Sequence, residues 1–418
     1  YSSVVSSPLR EQIDIPCRSN GSITLDILYA AAPSPQILLY LPPGPVLQET
    51  HDDEDRILTG LSSSSKCTVV KINYRLSPDH QFPKPVHDVL QGYDWVLDNL
   101  LHDQPRARLA VCGELVGGTL ATTLALTECD LNGRRIHCAA INNPIADWVF
   151  PDDLPLEPRS ELPEPNAPEE TAFPADQDMM AWWAKQDEEE PSRTSRKQRR
   201  TPKPRKPTAW TINSDNVDLP TLSLSGERDV LFRESEDYFD RFASPIHFFR
   251  SPHGKLLYPE SDDILASSSP SEVPKDPLDF ETQMDLSHYA SFAQNNTSPL
   301  ETPLLVRCRA YARVFPPAGS NLSLPLWHFT SGLTSPLYDQ TSELAKMIKR
   351  SIARQTLRAR TARVHWHDPI EKKNYEAYAE ERVNVETVPG LGLWSLNDDV
   401  QESRNKIETI GRWLRDSL

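Results

Sequence analysis

Between residues 36 and 144 short apolar runs alternate with helix-like stretches, and that alternation limits the fold more than any other feature of the chain. QILLYL (36–41) reads as a strand, and CTVVKINY (67–74) and RLAVCG (108–113) read as strands buried on both faces. HCAAINNP (137–144) continues the series. Val86, Leu90, Tyr93, Val96 and Leu97 recur at helical spacing between the second and third runs. GGTLATTLALTECD follows the third with small residues suited to close packing on a sheet. Strands that alternate with helices imply a mostly parallel central sheet with helices on both faces, an α/β fold. SITLDILY (22–29) adds a strand ahead of the series.

The pattern breaks after Phe150. Residues 1–150 read as the N-terminal part of the core, and 151–207 as a Pro-rich insertion, acidic and then basic, without a core-forming period. In it MMAWW (179–183) could dock as a lid helix, and Arg193–Lys206 could serve as a nuclear-localisation or acidic-partner patch. Residues 208–258 read as a core or lid segment, with LPTLSLSGERDVLF (219–232) as strand, loop and helix start and SPIHFFR (244–250) as a strand. A low-complexity insertion covers 259–300, and 301–418 form the C-terminal part of the core, with a polar stretch at 356–382. There LPLWHFTSGLTSPLYDQTSELAKMIKRSI (324–352) reads as strand, loop and helix, VNVETVPGLGLW (383–394) as strand and loop, and IETIGRWLRDSL as a closing helix.

The balance of 38 Pro to 15 Gly fits a folded core interrupted by polar insertions. A formal net charge of −16 argues against a general nucleic-acid binder. No apolar run has the roughly 18 residues of a membrane span. Six scattered cysteines form no C-x-x-C pair, which suggests neither a zinc site nor a disulfide framework and fits a reducing compartment such as the cytoplasm. His-Asp-Asp-Glu-Asp at 51–55 reads as a solvated face or helix N-terminus, and His365 and His367 as part of an Arg-rich stretch. No metal and no cofactor is expected.

INYRLSPDHQFPKPVHDV (72–89) closely resembles the YRLAPEHPFPAALEDA signature of the hormone-sensitive-lipase-like α/β-hydrolases, the fold-3 group. GELVGG (113–118) is similar to that group's GDSAGG turn, and NNPIADW (142–148) to the strand end that follows it. The overall cast is closest to fungal members. The resemblance implies an α/β-hydrolase fold and a serine nucleophile on a strained strand-to-helix turn. In this chain the turn is Gly113, Glu114, Leu115, Val116 and Gly117, with Leu115 in the nucleophile's place. An isobutyl group has no lone pair to attack a carbonyl. The resemblance also implies an oxyanion loop of His-Gly-Gly-Gly type. The matching residues are Pro42, Pro43, Gly44 and Pro45, and proline has no N–H to donate.

Two segments compete for the acid and the histidine. One supplies Asp229, in Gly-Glu-Arg-Asp, and His253, in Pro-His-Gly. The other puts Ser335 and Leu393 in those places and agrees better with a final amphipathic helix. Asp79, His80 and Asp88 belong to the signature stretch, which braces the sheet in this group, while Trp182, Trp183, Trp327 and Trp394 read as core or pocket lining. Plant gibberellin receptors resemble these esterases and hold a ligand in a triad-deficient pocket. The chain therefore reads as a non-catalytic relative that binds a small apolar ligand or a protein partner. An active carboxylesterase or lipase with an unassigned nucleophile is the alternative, and a scaffold acting through its charged insertions a further one.

Overall fold

The computed structural model describes residues 9–17, 21–32, 34–45, 51–101, 107–131, 133–154, 207–257, 304–317, 319–361, 368–394 and 400–418. The disordered readings at 155–206 and 259–300, the MMAWW lid, the Arg193–Lys206 patch, Trp182, Trp183, His365 and His367 lie outside these residues.

The main unit comprises residues 1–151, 167–252 and 310–418. It holds β1 (Arg10–Pro16), β2 (Ser22–Leu28), β3 (Ile37–Leu41), α1 (His51–Ser65), β4 (Thr68–Asn73), α2 (Lys84–Asn99), β5 (Leu109–Glu114), α3 (Leu115–Thr127) and β6 (Ile136–Asn142). After these come the single turn α4 (Ala209–Ile212) and α5 (Thr221–Leu231). In a second, small unit β7 (Gly254–Leu257) pairs antiparallel with β8 (Leu304–Arg307). The main unit then closes with β9 (Leu326–Gly332), α6 (Tyr338–Thr361), α7 (Pro369–Arg382), β10 (Val383–Val388) and α8 (Val400–Ser417).

Eight strands form one sheet in the order β1-β2-β4-β3-β5-β6-β9-β10. β2 runs antiparallel to both neighbours, and the pairs from β4 to β10 are parallel. Strands β3 to β6 are almost wholly buried, which explains their continuous apolar runs. On one face Leu38, Tyr40, Val69, Ala110 and Cys138 pack with Ile57 and Leu61 of α1 and Ile407, Ile410 and Leu414 of α8. On the other, Gly92 of α2 seats directly on Ile72 of β4. Helix α3 is buried on every side, as its apolar composition requires.

Two stretches depart from the sequence reading. LPTLSLSGERDVLF is the helix α5 and not a strand and loop, because Pro220 stands at its N-cap and the buried residues Thr221, Leu224 and Leu231 recur at helical spacing. SPIHFFR forms a turn of 3-10 helix over Pro245–Phe248, with Pro245 in its first turn, where a proline's missing N–H costs nothing. The polar stretch at 356–382 supplies the end of α6 and all of α7.

Candidate functional site

The chain order reverses at β3, which lies between β4 and β5. In open parallel sheets the crevice at such a switch point, beyond the carboxyl ends of the strands, is the usual place for a site. Two segments meet there: the loop after β3 (Pro42–Pro45) and the turn from β5 into α3.

That turn is tight for reasons readable at single atoms. Leu115 has φ +49°, a left-handed conformation that a branched side chain seldom adopts. A Cβ on Gly113 would lie 2.4 Å from the Gly117 carbonyl oxygen, and one on Gly117 would lie 2.2 Å from that of Pro42. Only glycine fits either place. The Leu115 side chain is fully buried, and its carbonyl accepts a hydrogen bond from Thr119 Oγ1, which also donates to the Ile145 carbonyl at 2.8 Å.

The loop after β3 turns its carbonyls of Leu41 and Pro42 towards Gly117. The Pro42 carbonyl also accepts from Tyr74 Oη at 2.6 Å. Gly44, at φ +83°, lies against the side chains of Val116 and Leu76. Pro43 and Pro45 flank it and carry no amide hydrogen.

Behind the turn a buried polar network ties together the ends of three strands. Glu114 Oε1 accepts from Asn142 Nδ2 at 2.9 Å and from the Trp394 amide at 2.6 Å. Asn142 Nδ2 also donates to the Gly392 carbonyl. Asn143 Nδ2 donates to Asn142 Oδ1 and the Leu391 carbonyl, while Ser331 Oγ donates to Asn143 Oδ1. Leu393, buried, sits between two residues that this network fixes. Leu115 and Leu393 are thus held at the same end of the sheet by Glu114 and Asn142.

The loops after β9 and β10 are stitched to each other. The Leu333 amide donates to the Val388 carbonyl at 2.9 Å, and the Thr334 amide to that of Gly390 at 3.1 Å. A Cβ on Gly332 would lie 2.2 Å from the Gly390 carbonyl oxygen, so the two backbones touch. Ser335, fully buried, accepts from the Leu337 amide at the start of α6.

Beside Val116 is an apolar cavity of about 30 Å³, lined by Leu76, Phe82, Trp148, Phe232 and Phe242 among others. Phe232 packs edge-on to Trp148, Phe150 stacks on Trp210 at 4.3 Å, and the Arg228 guanidinium lies over the rings of both Phe150 and Tyr238.

The other candidates are placed elsewhere. Asp229 is on the outer side of α5, its side chain 72% exposed and facing Arg228. His253 belongs to the small unit, at the start of β7, where its carbonyl accepts from the Cys308 amide. The chain does not place the two on the ends of neighbouring strands of the main sheet. Asp88, fully buried, accepts from the Arg75 amide and side chain, while His80 Nδ1 pairs with Ser77 Oγ at 3.1 Å. In the 51–55 run, Asp53 pairs with Arg56, Glu54 with Lys71 and Asp55 with Arg10. Trp327 and Trp394 are core residues.

One buried charge cluster escaped the sequence reading. Asp147 Oδ2 meets Arg250 Nη2 at 2.8 Å, Arg250 Nε meets Glu343 at 3.2 Å, and His247 Nε2 lies 3.8 Å from Asp147 Oδ1. Burial alone would raise the Asp147 carboxyl, but His247, Arg250 and the Val149 amide hold it below the usual carboxylate range. Arg250 is 103 residues from Asp147 and 93 from Glu343 in sequence, so no local pattern could show it.

A family model described as alpha/beta hydrolase fold matches residues 38–246. Among solved structures, carboxyl esterase 2 from the mycorrhizal fungus Tuber melanosporum shares 11% identity at a TM-score of 0.54, with 100% of this chain and 89% of that one covered. A hyperthermophilic esterase from the archaeon Pyrobaculum calidifontis shares 14% at 0.53, covering 98% and 85%. A thermostable carboxylesterase cloned from a metagenomic library shares 16% at 0.53, covering 99% and 91%. At these identities the likeness is one of fold.

Proposed function

Because the chain belongs to the esterase- and lipase-like α/β-hydrolase fold-3 family, we propose that it is a member that has given up acyl transfer and acts by binding. The observation that carries this reading is Leu115, a buried hydrocarbon on the positive-φ apex where the family's nucleophile would stand. Such a side chain can neither attack a carbonyl nor relay a proton.

Three further features support it. Pro43 and Pro45 have no N–H for an oxyanion, and the carbonyls of Leu41 and Pro42 face the turn instead. Loss of one oxyanion donor typically costs about two to three powers of ten in rate. Ser335 and Leu393 occupy the loops after β9 and β10, and neither can orient or act as a general base. The cavity of about 30 Å³ is also far below the roughly 300–1,000 Å³ of small-molecule sites.

The test is a fluorophosphonate probe together with a short-chain nitrophenyl ester, applied to the wild type, Leu115→Ala and Leu115→Ser. All three are expected to stay unlabelled and at the background rate. Turnover that survives Leu115→Ala would establish an active enzyme with a nucleophile elsewhere. Ordinary esterase rates in Leu115→Ser would show that the proline loop still stabilises an oxyanion.

A further inference from the structure

The second half of α6 carries a row of cations and no carboxylate of its own. From Leu344 to Thr361 the helix contains Lys346, Lys349, Arg350, Arg354, Arg358 and Arg360 and no Asp or Glu, in a chain whose 60 acidic residues outnumber its 44 basic ones. Residues 346, 350, 354 and 358 recur every four positions and line one flank for about 18 Å. Leu344, Met347, Ile348 and Ile352 are buried and anchor the helix, while Lys346 is exposed and Lys349, Arg350, Arg354 and Arg358 are half-buried. Arg360 lies over the Tyr378 ring, and Arg354 has a contact of its own. Lys346, Lys349, Arg350 and Arg358 make no ion pair among the described residues.

Two ordinary explanations fall short. The helix dipole favours cations only within the last turn, which covers Arg358 and Arg360 but not Lys346, Lys349 or Arg350. A solvated helix face in this same chain looks different: α8 pairs Arg404 with Glu408 and Lys406 with Glu402 at i,i+4. From Leu344 onward the charge on α6 has one sign.

We propose that this row docks an acidic segment of a protein partner. Its width is one helix and its length matches about five or six extended residues, a footprint suited to a peptide. A uniformly charged polyanion reaching past the row would meet the field of a chain carrying −16 overall. The site lies on α6 and stands whether or not the turn at Leu115 is catalytic.

The test is fluorescence anisotropy with a labelled Glu-rich dodecapeptide, a short DNA duplex and phosphatidylserine vesicles, at about 50 mM and about 200 mM salt. The peptide is expected to bind at low salt and weaken at high salt. Replacing Lys346, Lys349, Arg350 and Arg358 together by Gln removes four solvent-screened charges and should weaken it about tenfold or more. Arg404→Gln with Lys406→Gln on α8 should leave it unchanged. An unbound peptide, a quadruple variant that binds as wild type, or tighter binding of DNA or vesicles than of peptide would each overturn the proposal. An unchanged thermal midpoint in the quadruple variant assigns the loss to the surface; a collapsed midpoint moves the test to Lys346→Gln with Lys349→Gln, which must still weaken the peptide.

Discussion

Replacing Leu115 first by Ala and then by Gly separates two opposing contributions at the apex. Its side chain is fully buried, so truncation to Ala should cost about 3–5 kcal/mol, as for other buried leucines. Alanine keeps a Cβ at φ +49° and therefore keeps the strain, worth about 1–2 kcal/mol. Glycine releases that strain but gives up one more carbon, worth about 0.8 kcal/mol. Leu115→Gly should accordingly match Leu115→Ala or exceed it by up to about 1 kcal/mol. At an ordinary helical position the order is reversed, with Gly about 1 kcal/mol worse than Ala. Urea unfolding followed by tryptophan fluorescence and far-UV circular dichroism reads the difference as a shift in midpoint at constant slope. A glycine variant clearly less stable than the alanine variant would refute the strain argument. An alanine variant that loses less than about 1 kcal/mol would show that the apex is not packed.

Further expectations follow from the buried polar and thiol groups. The Asp147 carboxyl is lowered in the fold, so its contribution to stability is present above the ordinary carboxylate pKa of about 3.9 and is lost as pH falls below it. Asp147→Asn should therefore flatten the acid limb of a stability–pH profile and destabilise the protein at neutral pH by up to about 3–5 kcal/mol, since the buried Arg250 is left with only the part-exposed Glu343; a limb as steep as that of the wild type would remove the carboxylate from the account. Burial pushes Cys129 up to about 12 and raises Cys67, Cys112 and Cys138 above their usual value, so in the folded protein these thiols should react with a disulfide reagent far more slowly than after urea unfolding.

The parts legible in the sequence were those whose environment is uniform. Strands β3 to β6 are buried on both faces, and their apolar runs followed directly. β10 is different: it is partly exposed and rich in polar residues, yet its β-branched residues still marked it as a strand. α5 was misread because LSLS imitates a period of two, whereas in the helix Leu222 points to solvent and Leu224 inward. The turn at 113–117 and the proline loop were visible as motifs. Their surroundings were not, since Glu114 and the Trp394 amide that binds it are 280 residues apart and Ser331 and Asn143 are 188 apart. The mutual packing of Gly332 and Gly390 left no trace beyond two glycines.

On the reading proposed above, the turn keeps its shape without a nucleophile because little of what holds it depends on a hydroxyl. Gly113 is imposed by the backbone at Gly117 and Gly118, Gly117 by that at Leu41 and Pro42, and Glu114 is held by an asparagine on β6 and an amide beyond β10. Those contacts fix φ at the apex whether Ser or Leu stands there, so likeness of fold to esterases says nothing about turnover. The same contacts also oppose a return to catalysis. A serine at 115 would need a base from the loop after β10 and an acid from the loop after β9, yet those loops are joined backbone to backbone at Gly332 and Gly390. Opening that seam would cost two backbone hydrogen bonds and the packing of Gly332 on Gly390. Under the assignment proposed above, a serine at 115 is therefore expected to gain little by itself, and exchange of Leu115, Ser335 and Leu393 together would still have to work around that seam.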